Sequence, residues 1–256
     1  MELSHETSGS GPVVVLVHGI TESRETWRPL IAPLSATNTV VAVDLRGHGM
    51  SPTGDAYDPL TLATDVRETL LATGLPDTDS ALMIGHSLGG VVVSAYGALF
   101  PCRGIINVDQ PLRLSAFKEG LAQLEPMLKG DTASFDTAIS LLFASMMGAL
   151  PADEAARVNS LRRATQDVVL GIWGTVFDSS PAELDAQVDA LVGGITVSYH
   201  ALHGVDPGTA YCDWLLDSIP TAVLSVWEDL GHYPHLVEQE TFLDLVKEFD
   251  SDDREW

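Results

Sequence analysis

Short, continuous runs of apolar residues alternate with longer segments of helical periodicity along most of this chain. The runs are rich in β-branched residues, as expected for strands that are buried on both faces of a parallel sheet. Strands are predicted at residues 13–17, 39–43, 81–84, 104–108, 195–202 and 221–226. Helices are predicted between them at residues 25–35, 60–73, 88–100 and 238–249. This alternation indicates βαβ units and a mostly parallel sheet with helices on both faces.

The alternation stops over residues 114–194, where no strand is predicted. Helical patterns cover this segment instead, at residues 115–129, 134–150, 153–177 and 181–191. A helical insertion between two strands is expected to form a cap over the carboxyl ends of the sheet, where open α/β folds bind their ligands. The expected domains are therefore a core of residues 1–113 and 195–256 and a cap of residues 114–194.

Composition and charge narrow the possible partners. The chain has 256 residues, 45% of them hydrophobic, which is enough for a sizeable α/β core with an insertion. Its formal net charge of −23 would repel a phosphate backbone or an anionic membrane. We therefore expect neither nucleic acid nor a membrane as partner. The expected partner is a small-molecule substrate, and the expected assembly is a monomer or homodimer.

The first ten residues and the cysteines suggest the cellular compartment. The segment of residues 1–10 is polar and has no basic n-region, so it is not expected to be a signal peptide. No apolar run approaches the roughly 20 residues of a membrane span. Cys102 and Cys212 do not form a disulfide framework and are expected to be reduced. A cytoplasmic location is expected.

The sequence Gly85-His86-Ser87-Leu88-Gly89 connects a predicted strand with a predicted helix. A serine at such a turn is a nucleophile elbow, in which a strained backbone projects the hydroxyl away from the sheet. Glycines at positions 85 and 89 suit the turn because they have no Cβ to collide with the neighbouring strand and helix. Ser87 is therefore the predicted nucleophile.

A serine hydroxyl becomes an effective nucleophile when a base removes its proton. Where the serine lies on an elbow of this kind, an acid and then a histidine follow it along the chain. The last predicted strand runs into a turn that contains His232, which is the predicted base. His235 is its rival, but it follows Pro234 at the start of the last helix.

Aspartates that follow predicted strands are candidates for the acid. Asp206 follows the next-to-last strand, the commoner place for this acid, and is the predicted choice. Asp109 directly follows the strand that ends at residue 108 and is the alternative. Asp229 is too close in sequence to His232 to be favoured. The acid is expected to hold the tautomer of His232 and to stabilise the imidazolium.

The oxyanion of a tetrahedral intermediate needs preorganised N–H donors. Leu88 N–H, directly after Ser87, is one predicted donor. Ile20 N–H is the other, because Gly19 lets the loop after the strand at residues 13–17 approach the serine. His18 is expected to bond to backbone and shape this loop.

No pattern in the sequence predicts a metal or another cofactor. The eight histidines form no HExxH motif and are not paired with cysteines. We expect the apolar side chains of the cap to pack against the sheet and some of them to line an acyl- or aryl-binding pocket. The candidates are Leu141, Leu142, Phe143, Met146, Met147, Trp173 and Phe177.

Several segments together resemble the α/β-hydrolase superfamily, in particular its cap-bearing serine esterases and lactonases. They are Val15–Gly19, Asp44–Ser51, Gly85–Gly90, His203–Pro207 and Gly231–Pro234. The resemblance implies an α/β-hydrolase fold with Ser87 as nucleophile, His232 as base and Asp206 as acid, and with the N–H groups of Ile20 and Leu88 as oxyanion donors. Family members usually begin with a hairpin before the strand at residues 13–17. Here only twelve residues precede it, so the first strand of the usual sheet stays open.

The resemblance also implies a reaction. A serine hydrolase of this type would cleave a carboxylic ester or lactone of a small apolar substrate through an acyl-enzyme on Ser87. Alternatives with the same fold are a carbon–carbon bond hydrolase and a cofactor-free haloperoxidase or perhydrolase. A hydrolase-like ligand receptor with slow turnover is an alternative of another class. The serine at the elbow argues against haloalkane dehalogenases and epoxide hydrolases, which have aspartate there.

Overall fold

The computed structural model describes residues 1–163 and 165–250. One sheet contains His5–Gly9 (β1), Val13–Val17 (β2), Thr39–Val43 (β3), Leu82–His86 (β4), Gly104–Val108 (β5), Ser198–His203 (β6) and Ala222–Val226 (β7). The strand order is β1-β3-β2-β4-β5-β6-β7. β1 is antiparallel to β3, and every other pair is parallel. The predicted α/β fold with a mostly parallel sheet is confirmed.

The sequence left open whether the sheet has the first strand that is usual in the family. A single strand precedes β2, where family members usually have a hairpin. Among the strands of the described residues, β1 lies at the edge of the sheet and pairs with β3 alone, which leaves its other side without a neighbouring strand. None of its residues is fully buried, and its sequence is HETSG. A strand of this composition gives no apolar run, which explains why the pattern did not predict it.

The helices follow the predicted alternation with a few differences. They are Arg28–Leu34 (α1), Pro59–Ala72 (α2), Leu88–Leu99 (α3), Ser115–Leu121 (α4), Glu125–Leu128 (α5), Thr132–Met146 (α6), Ala152–Leu161 (α7), Gln166–Asp178 (α8), Pro181–Val192 (α9), Thr209–Ser218 (α10), Pro234–Val237 (α11) and Gln239–Asp250 (α12). The helix predicted at residues 153–177 is divided into α7 and α8, and α10 was not predicted. Within the described ranges, no helix is long and apolar enough to cross a membrane.

The sheet separates two hydrophobic clusters. In β2, Val13, Val15 and Val17 belong to one cluster, while Val14 and Leu16 belong to the other. Successive side chains of a strand point to opposite faces, so a run that is buried throughout needs helices on both sides. Side chains of α2, α3 and α10 cover the first face, and those of α1 and α12 cover the second.

A third hydrophobic cluster lies in the segment between β5 and β6. Side chains of α4, α5, α6 and α8 form most of it, and Ile20 from the loop after β2 joins it. α9 packs against both α3 and α4, so it connects this segment with the sheet. The division into a core and a cap at residues 114–194 stays a prediction, and residues 251–256 of the expected core lie outside the described part of the chain.

Candidate active site

Ser87 lies between β4 and α3 with φ of 52° and ψ of −122°, a strained region for a residue with a side chain. Its N–H donates a hydrogen bond to the carbonyl of Val108 (3.0 Å). A Cβ on Gly85 would lie 2.1 Å from the carbonyl oxygen of Gly89, and a Cβ on Gly89 would lie 2.2 Å from that of Val17. Both positions therefore require glycine, and the close packing around them holds Ser87 in its strained conformation.

His232 and Asp109 form a hydrogen-bonded pair at the carboxyl end of the sheet. Nδ1–H of His232 donates to Oδ2 of Asp109 (2.6 Å), and the N–H of Gly204 donates to Oδ1 (2.8 Å). Burial alone would raise the pKa of Asp109, but its hydrogen bonds with His232 and with the N–H of Gly204 outweigh burial and lower that pKa. Asp109 is therefore ionised at neutral pH, and Nε2 of His232 is left as a proton acceptor.

This pair corrects the predicted acid, because Asp109 occupies the place at His232 that the sequence assigned to Asp206. Asp206 is exposed, and its carboxylate accepts a hydrogen bond from the N–H of Gly208 (2.8 Å), within its own loop. Such local bonds are typical of aspartate in a turn. Asp109 has φ of 52° and follows β5 directly, and the N–H of Gly204 at the end of the adjacent strand fixes its carboxylate.

His235, the rival base, lies in the core rather than in the site. It is fully buried, and its ring packs against those of Trp27 and Phe242. Burial lowers the pKa of His235 well below its usual value, so the ring is neutral. Its position supports His232 as the base.

The loop after β2 packs directly against the serine. A Cβ on Gly19 would lie 3.2 Å from Cβ of Ser87 and 3.2 Å from Nδ1 of His86. Nδ1–H of His18 donates to the carbonyl of Gly19 (2.7 Å), and Nε2 of His18 accepts from the N–H of Leu45 (3.0 Å). Burial lowers the pKa of His18, which keeps the ring neutral and able to make both bonds. His18 thus makes the backbone contacts that the sequence predicted.

Ile20 and Leu88 are the two residues whose N–H groups are predicted to bind an oxyanion. Leu88 is the first residue of α3, and the first N–H groups of a helix have no acceptor within the helix. Among the hydrogen bonds of the described residues, none has the N–H of Ile20 as donor. Both residues line the same cavity as Ser87. Their role as oxyanion donors remains a prediction.

The cavity has a volume of about 420 Å³ and brings Ser87, Asp109 and His232 together. Most of its wall is apolar. Of the cap residues that the sequence singled out, those that line it are Leu142, Phe143, Met146 and Trp173. Leu141 is 56% exposed, whereas Met147 and Phe177 pack against the third cluster. Within residues 1–163 and 165–250, no group of three or more His, Cys, Asp or Glu side chains could hold a metal ion.

A buried polar cluster that no sequence pattern predicted lies behind the loop after β2. It consists of Glu22, Arg162 and Tyr233, with His86 beside it. Arg162 lies in the break between α7 and α8, which no glycine or proline marks. Glu22 lies in the loop that carries Ile20, and Tyr233 directly follows His232. This proximity in sequence to predicted site residues was the one available signal for the cluster.

A model of the alpha/beta hydrolase family matches residues 14–245. The chain therefore belongs to the alpha/beta hydrolase family, as the resemblance of its motifs implied.

Curated relatives include several hydrolases. The chain is 27% identical over 269 residues to a pimeloyl-[acyl-carrier protein] methyl ester esterase of Chromobacterium violaceum, covering 97% of this chain and 98% of that protein. It is 30% identical over 158 residues to a 2-(acetamidomethylene)succinate hydrolase of Mesorhizobium japonicum, covering 59% and 54%. It is also 38% identical over 96 residues to an uncharacterized protein of Mycobacterium tuberculosis. That match covers 37% of this chain and only 27% of the mycobacterial protein.

Solved structures of similar shape extend over nearly the whole chain. An esterase (EaEST) from Exiguobacterium antarcticum has a TM-score of 0.80 at 20% identity, covering 97% of this chain and 96% of that one. E-2-(acetamidomethylene)succinate hydrolase has a TM-score of 0.77 at 20% identity, covering 97% and 95%. At this identity the likeness shows the fold alone.

Proposed function

We propose that the protein is a serine hydrolase that cleaves carboxylic ester or lactone bonds of a small apolar substrate through an acyl-enzyme on Ser87. The observation that carries the proposal is one apolar cavity lined by Ser87, by the hydrogen-bonded pair of His232 and Asp109, and by Ile20 and Leu88. The esterase name of the Chromobacterium violaceum relative, which aligns over 97% of this chain, supports the same class of bond.

Acylation begins when Nε2 of His232 takes the proton of the Ser87 hydroxyl. The serine oxygen adds to the carbonyl carbon, and the carbonyl oxygen gains the negative charge. The N–H groups of Ile20 and Leu88 bind this oxyanion, while ionised Asp109 stabilises the imidazolium. When the intermediate collapses, the bond to the alcohol oxygen breaks, and the imidazolium protonates the leaving alcohol.

Deacylation repeats these steps with water as the nucleophile. His232 takes a proton from water as the water oxygen adds to the acyl carbon. The bond between the acyl carbon and the serine oxygen then breaks, and the proton on His232 returns to Ser87. The products are a carboxylic acid, an alcohol and the free enzyme; a lactone gives the corresponding hydroxy acid.

The lining of the cavity favours an apolar substrate. Leu142, Phe143, Met146 and Trp173 line the cavity that contains Ser87, and methionine adapts to irregular apolar ligands. A volume of about 420 Å³ lies in the usual range for small-molecule sites. Esters with short or medium acyl chains fit this lining better than charged substrates do.

A panel of p-nitrophenyl esters and aliphatic lactones tests the proposal. Wild type should turn over members of the panel, and Ser87→Ala should lower kcat at least about 1,000-fold, as for loss of a triad nucleophile. Ser140→Ala, at an exposed serine of α6, is the matched control and should retain the wild-type rate. A fluorophosphonate probe should label wild type at Ser87, as read by peptide mass spectrometry. Equal rates for wild type and Ser87→Ala would overturn the proposal.

Two further measurements, binding of the panel compounds and turnover of a diketone, separate the alternatives. A receptor would bind a panel compound tightly and turn over once or very slowly. A carbon–carbon bond hydrolase would leave the esters and lactones intact and cleave a diketone substrate instead. Either result would contradict ester or lactone hydrolysis as the function.

A further inference from the structure

The loop that carries Ile20 contains a strained residue and is held from the core side. Thr21 has φ of 66°, which residues with a Cβ rarely adopt. The carboxylate of Glu22 accepts a hydrogen bond from the N–H of Gly19 (3.2 Å), and the N–H of Glu22 donates to the carbonyl of Gly19 (3.2 Å). These bonds close a tight turn around Ile20.

The same loop is held from the other side by the segment between α7 and α8. The N–H of Arg163 donates to the carbonyl of Thr21 (2.8 Å). Nη1 of Arg162 donates to Oγ1 of Thr21 (2.7 Å). Both the backbone and the side chain of Thr21 are therefore tied to this segment, and the peptide groups next to Ile20 have little freedom to rotate.

The guanidinium of Arg162 extends these ties to the rest of the site. Nη2 donates to the hydroxyl of Tyr233, which directly follows His232 in sequence. The Tyr233 hydroxyl donates in turn to Oε1 of Glu22 (2.7 Å), which lies 3.5 Å from Nη2. The guanidinium also lies 3.6 Å above the ring of Phe143 in the cavity wall. One side chain thus joins the loop with Ile20, the loop with His232 and the apolar wall.

The buried charges of Glu22 and Arg162 make the docked position of the Arg162 side chain hard to change. The side chains of Glu22 and Arg162 are only 2% and 9% exposed, and a buried charge requires a partner. Burial alone would raise the pKa of Glu22, but the neighbouring His86, Arg162 and the Tyr233 hydroxyl hold that pKa well below its usual range. Glu22 is therefore ionised and stabilises Arg162 in its docked position.

We infer that Arg162 is a positioning residue that orients the N–H of Ile20 through Thr21, so that the oxyanion site is complete only when residues 162 and 163 are docked against Thr21. The inference rests on the proposed serine hydrolase function, because it assigns a purpose to the N–H of Ile20. Arg162 itself does not line the cavity that contains Ser87.

Oxyanion donors act mainly in the transition state, and this determines the effect that a misplaced donor has on kcat and KM. They bind the negative oxygen of the transition state more strongly than the neutral carbonyl of the substrate. A misplaced Ile20 N–H should therefore lower kcat and leave KM nearly unchanged. A residue that only kept the cap folded or the cavity closed would instead affect stability or KM.

Arg162→Met and Arg157→Met form a matched pair for the test. Arg157, on α7, also ties the segment between β5 and β6 to the sheet domain, but it donates to the carbonyls of Glu25 and Thr26 (2.9 and 3.0 Å), outside the turn of residues 19–22. Arg162→Met should lower kcat on the order of 100-fold, comparable to loss of one oxyanion donor. Arg157→Met should keep the wild-type kcat within about threefold, because the contacts of Arg157 stabilise the ground state and the transition state equally.

An alkylboronic acid gives a second measurement, because its tetrahedral adduct on Ser87 carries an oxygen at the oxyanion position. Its affinity should fall in parallel with kcat in Arg162→Met and stay unchanged in Arg157→Met. The inference is wrong if the two variants behave alike, or if Arg162→Met raises KM at unchanged kcat.

Two further variants guard against simple unfolding. Arg162→Met combined with Glu22→Gln removes both buried charges, so no unpaired charge remains. This double variant should fold and stay slow, and a full return of kcat would contradict the inference.

Thr21→Val removes only the hydroxyl that accepts from Arg162 and keeps the β-branched shape. It should fold like wild type with a smaller loss of kcat, and an unchanged kcat would also contradict the inference.

A structural measurement separates this inference from the proposed function. The amide resonance of Ile20 should move in Arg162→Met and not in Arg157→Met, whether or not an ester is turned over. If wild type cleaves no ester or lactone, the proposed function fails. If the Ile20 resonance does not move in Arg162→Met, the positioning role fails.

Discussion

The carboxylate of Asp109 makes hydrogen bonds to two different loops. Oδ2 accepts from His232 and Oδ1 accepts from the N–H of Gly204 after β6. The N–H of Asp109 also donates to the carbonyl of Leu202 (2.7 Å), so the backbone is fixed as well. A carboxylate held in this way defines the tautomer of the imidazole, which decides whether Nε2 can act as a base.

Asp109→Asn should therefore lower kcat on the order of 10⁴-fold, because an amide in place of the carboxylate stabilises the wrong tautomer and cannot balance the imidazolium. Asp206→Asn is the matched control, since Asp206 is exposed and bonds within its own loop. It should keep the wild-type kcat within a few-fold. Steady-state kinetics on one p-nitrophenyl ester compares the two variants, and a larger loss in Asp206→Asn would restore the acid predicted from the sequence.

At the scale of the elements, the end of α6 supports the loop that carries His232. The N–H of His232 donates to the carbonyl of Met146 (3.1 Å), and the N–H of Ala149 donates to the carbonyl of Leu230 (3.2 Å). The two backbones approach so closely that a Cβ on Gly148 would lie 2.5 Å from Cα of Gly231. The inserted helices therefore contribute to the geometry of the base as well as to the wall of the cavity.

Gly148→Ala should separate α6 from the histidine loop. Its Cβ would also lie 2.6 Å from the carbonyl oxygen of Leu230, and φ of +54° strains any residue with a side chain. We expect a loss of about 1–3 kcal/mol in the free energy of unfolding, measured in urea, together with a lower kcat.

Gly174→Ala is the control for this substitution. Gly174 lies inside α8, and a Cβ there meets nothing within 4 Å. Alanine has the higher helix propensity, so this variant should gain about 0.5–1 kcal/mol of stability and keep its kcat. Equal effects of the two substitutions would argue against a contact-specific role of Gly148.

At the scale of the whole molecule, several buried histidines couple folding to pH. His18, His48, His203 and His235 are nearly or fully buried, and burial lowers the pKa of each ring. For His48 the pKa falls from 6.5 to about 4. Above pH 6.5 neither state binds the extra proton. Below it the unfolded chain binds protons that the folded chain excludes, so the free energy of unfolding decreases as the pH falls.

His48→Asn isolates one of these groups, because the amide can replace Nδ1–H of His48 as the donor to the carbonyl of Arg46 (2.9 Å). Between pH 7.5 and 5.5, wild type should lose stability, and His48→Asn should lose about 1 kcal/mol less, since one group whose pKa falls from 6.5 to about 4 on folding no longer contributes. Urea unfolding at both pH values measures this. Between pH 8.5 and 7.5 the two proteins should change alike, and an identical loss down to pH 5.5 would refute the coupling.

Local patterns were sufficient for the parallel strands and for the turn at Ser87, and they singled out His232 as the predicted base. A buried β-branched run predicts a strand because both of its faces must be covered, and β2, β3 and β5 begin and end where the pattern indicated. Ser87 directly follows β4, and Gly85 and Gly89 in the adjacent residues mark its turn. His232 lies in the loop that follows β7, six positions after Val226. The sequence signal for these features lies within a few positions of the chain, whereas contacts such as that of His232 with Met146 complete their geometry.

The acid, the Arg162 cluster and the wall of the cavity depended on contacts between distant segments. Asp109 and Asp206 both follow strands and carry the same carboxylate, yet only the direction of each loop brings Asp109 to His232, 123 positions away. Arg162 meets Thr21 from 141 positions away because the break between α7 and α8 docks there. Short-range preferences fix which residues form a strand or a turn, whereas the meeting of loop ends is set by strand order and packing, which involve the entire chain at once.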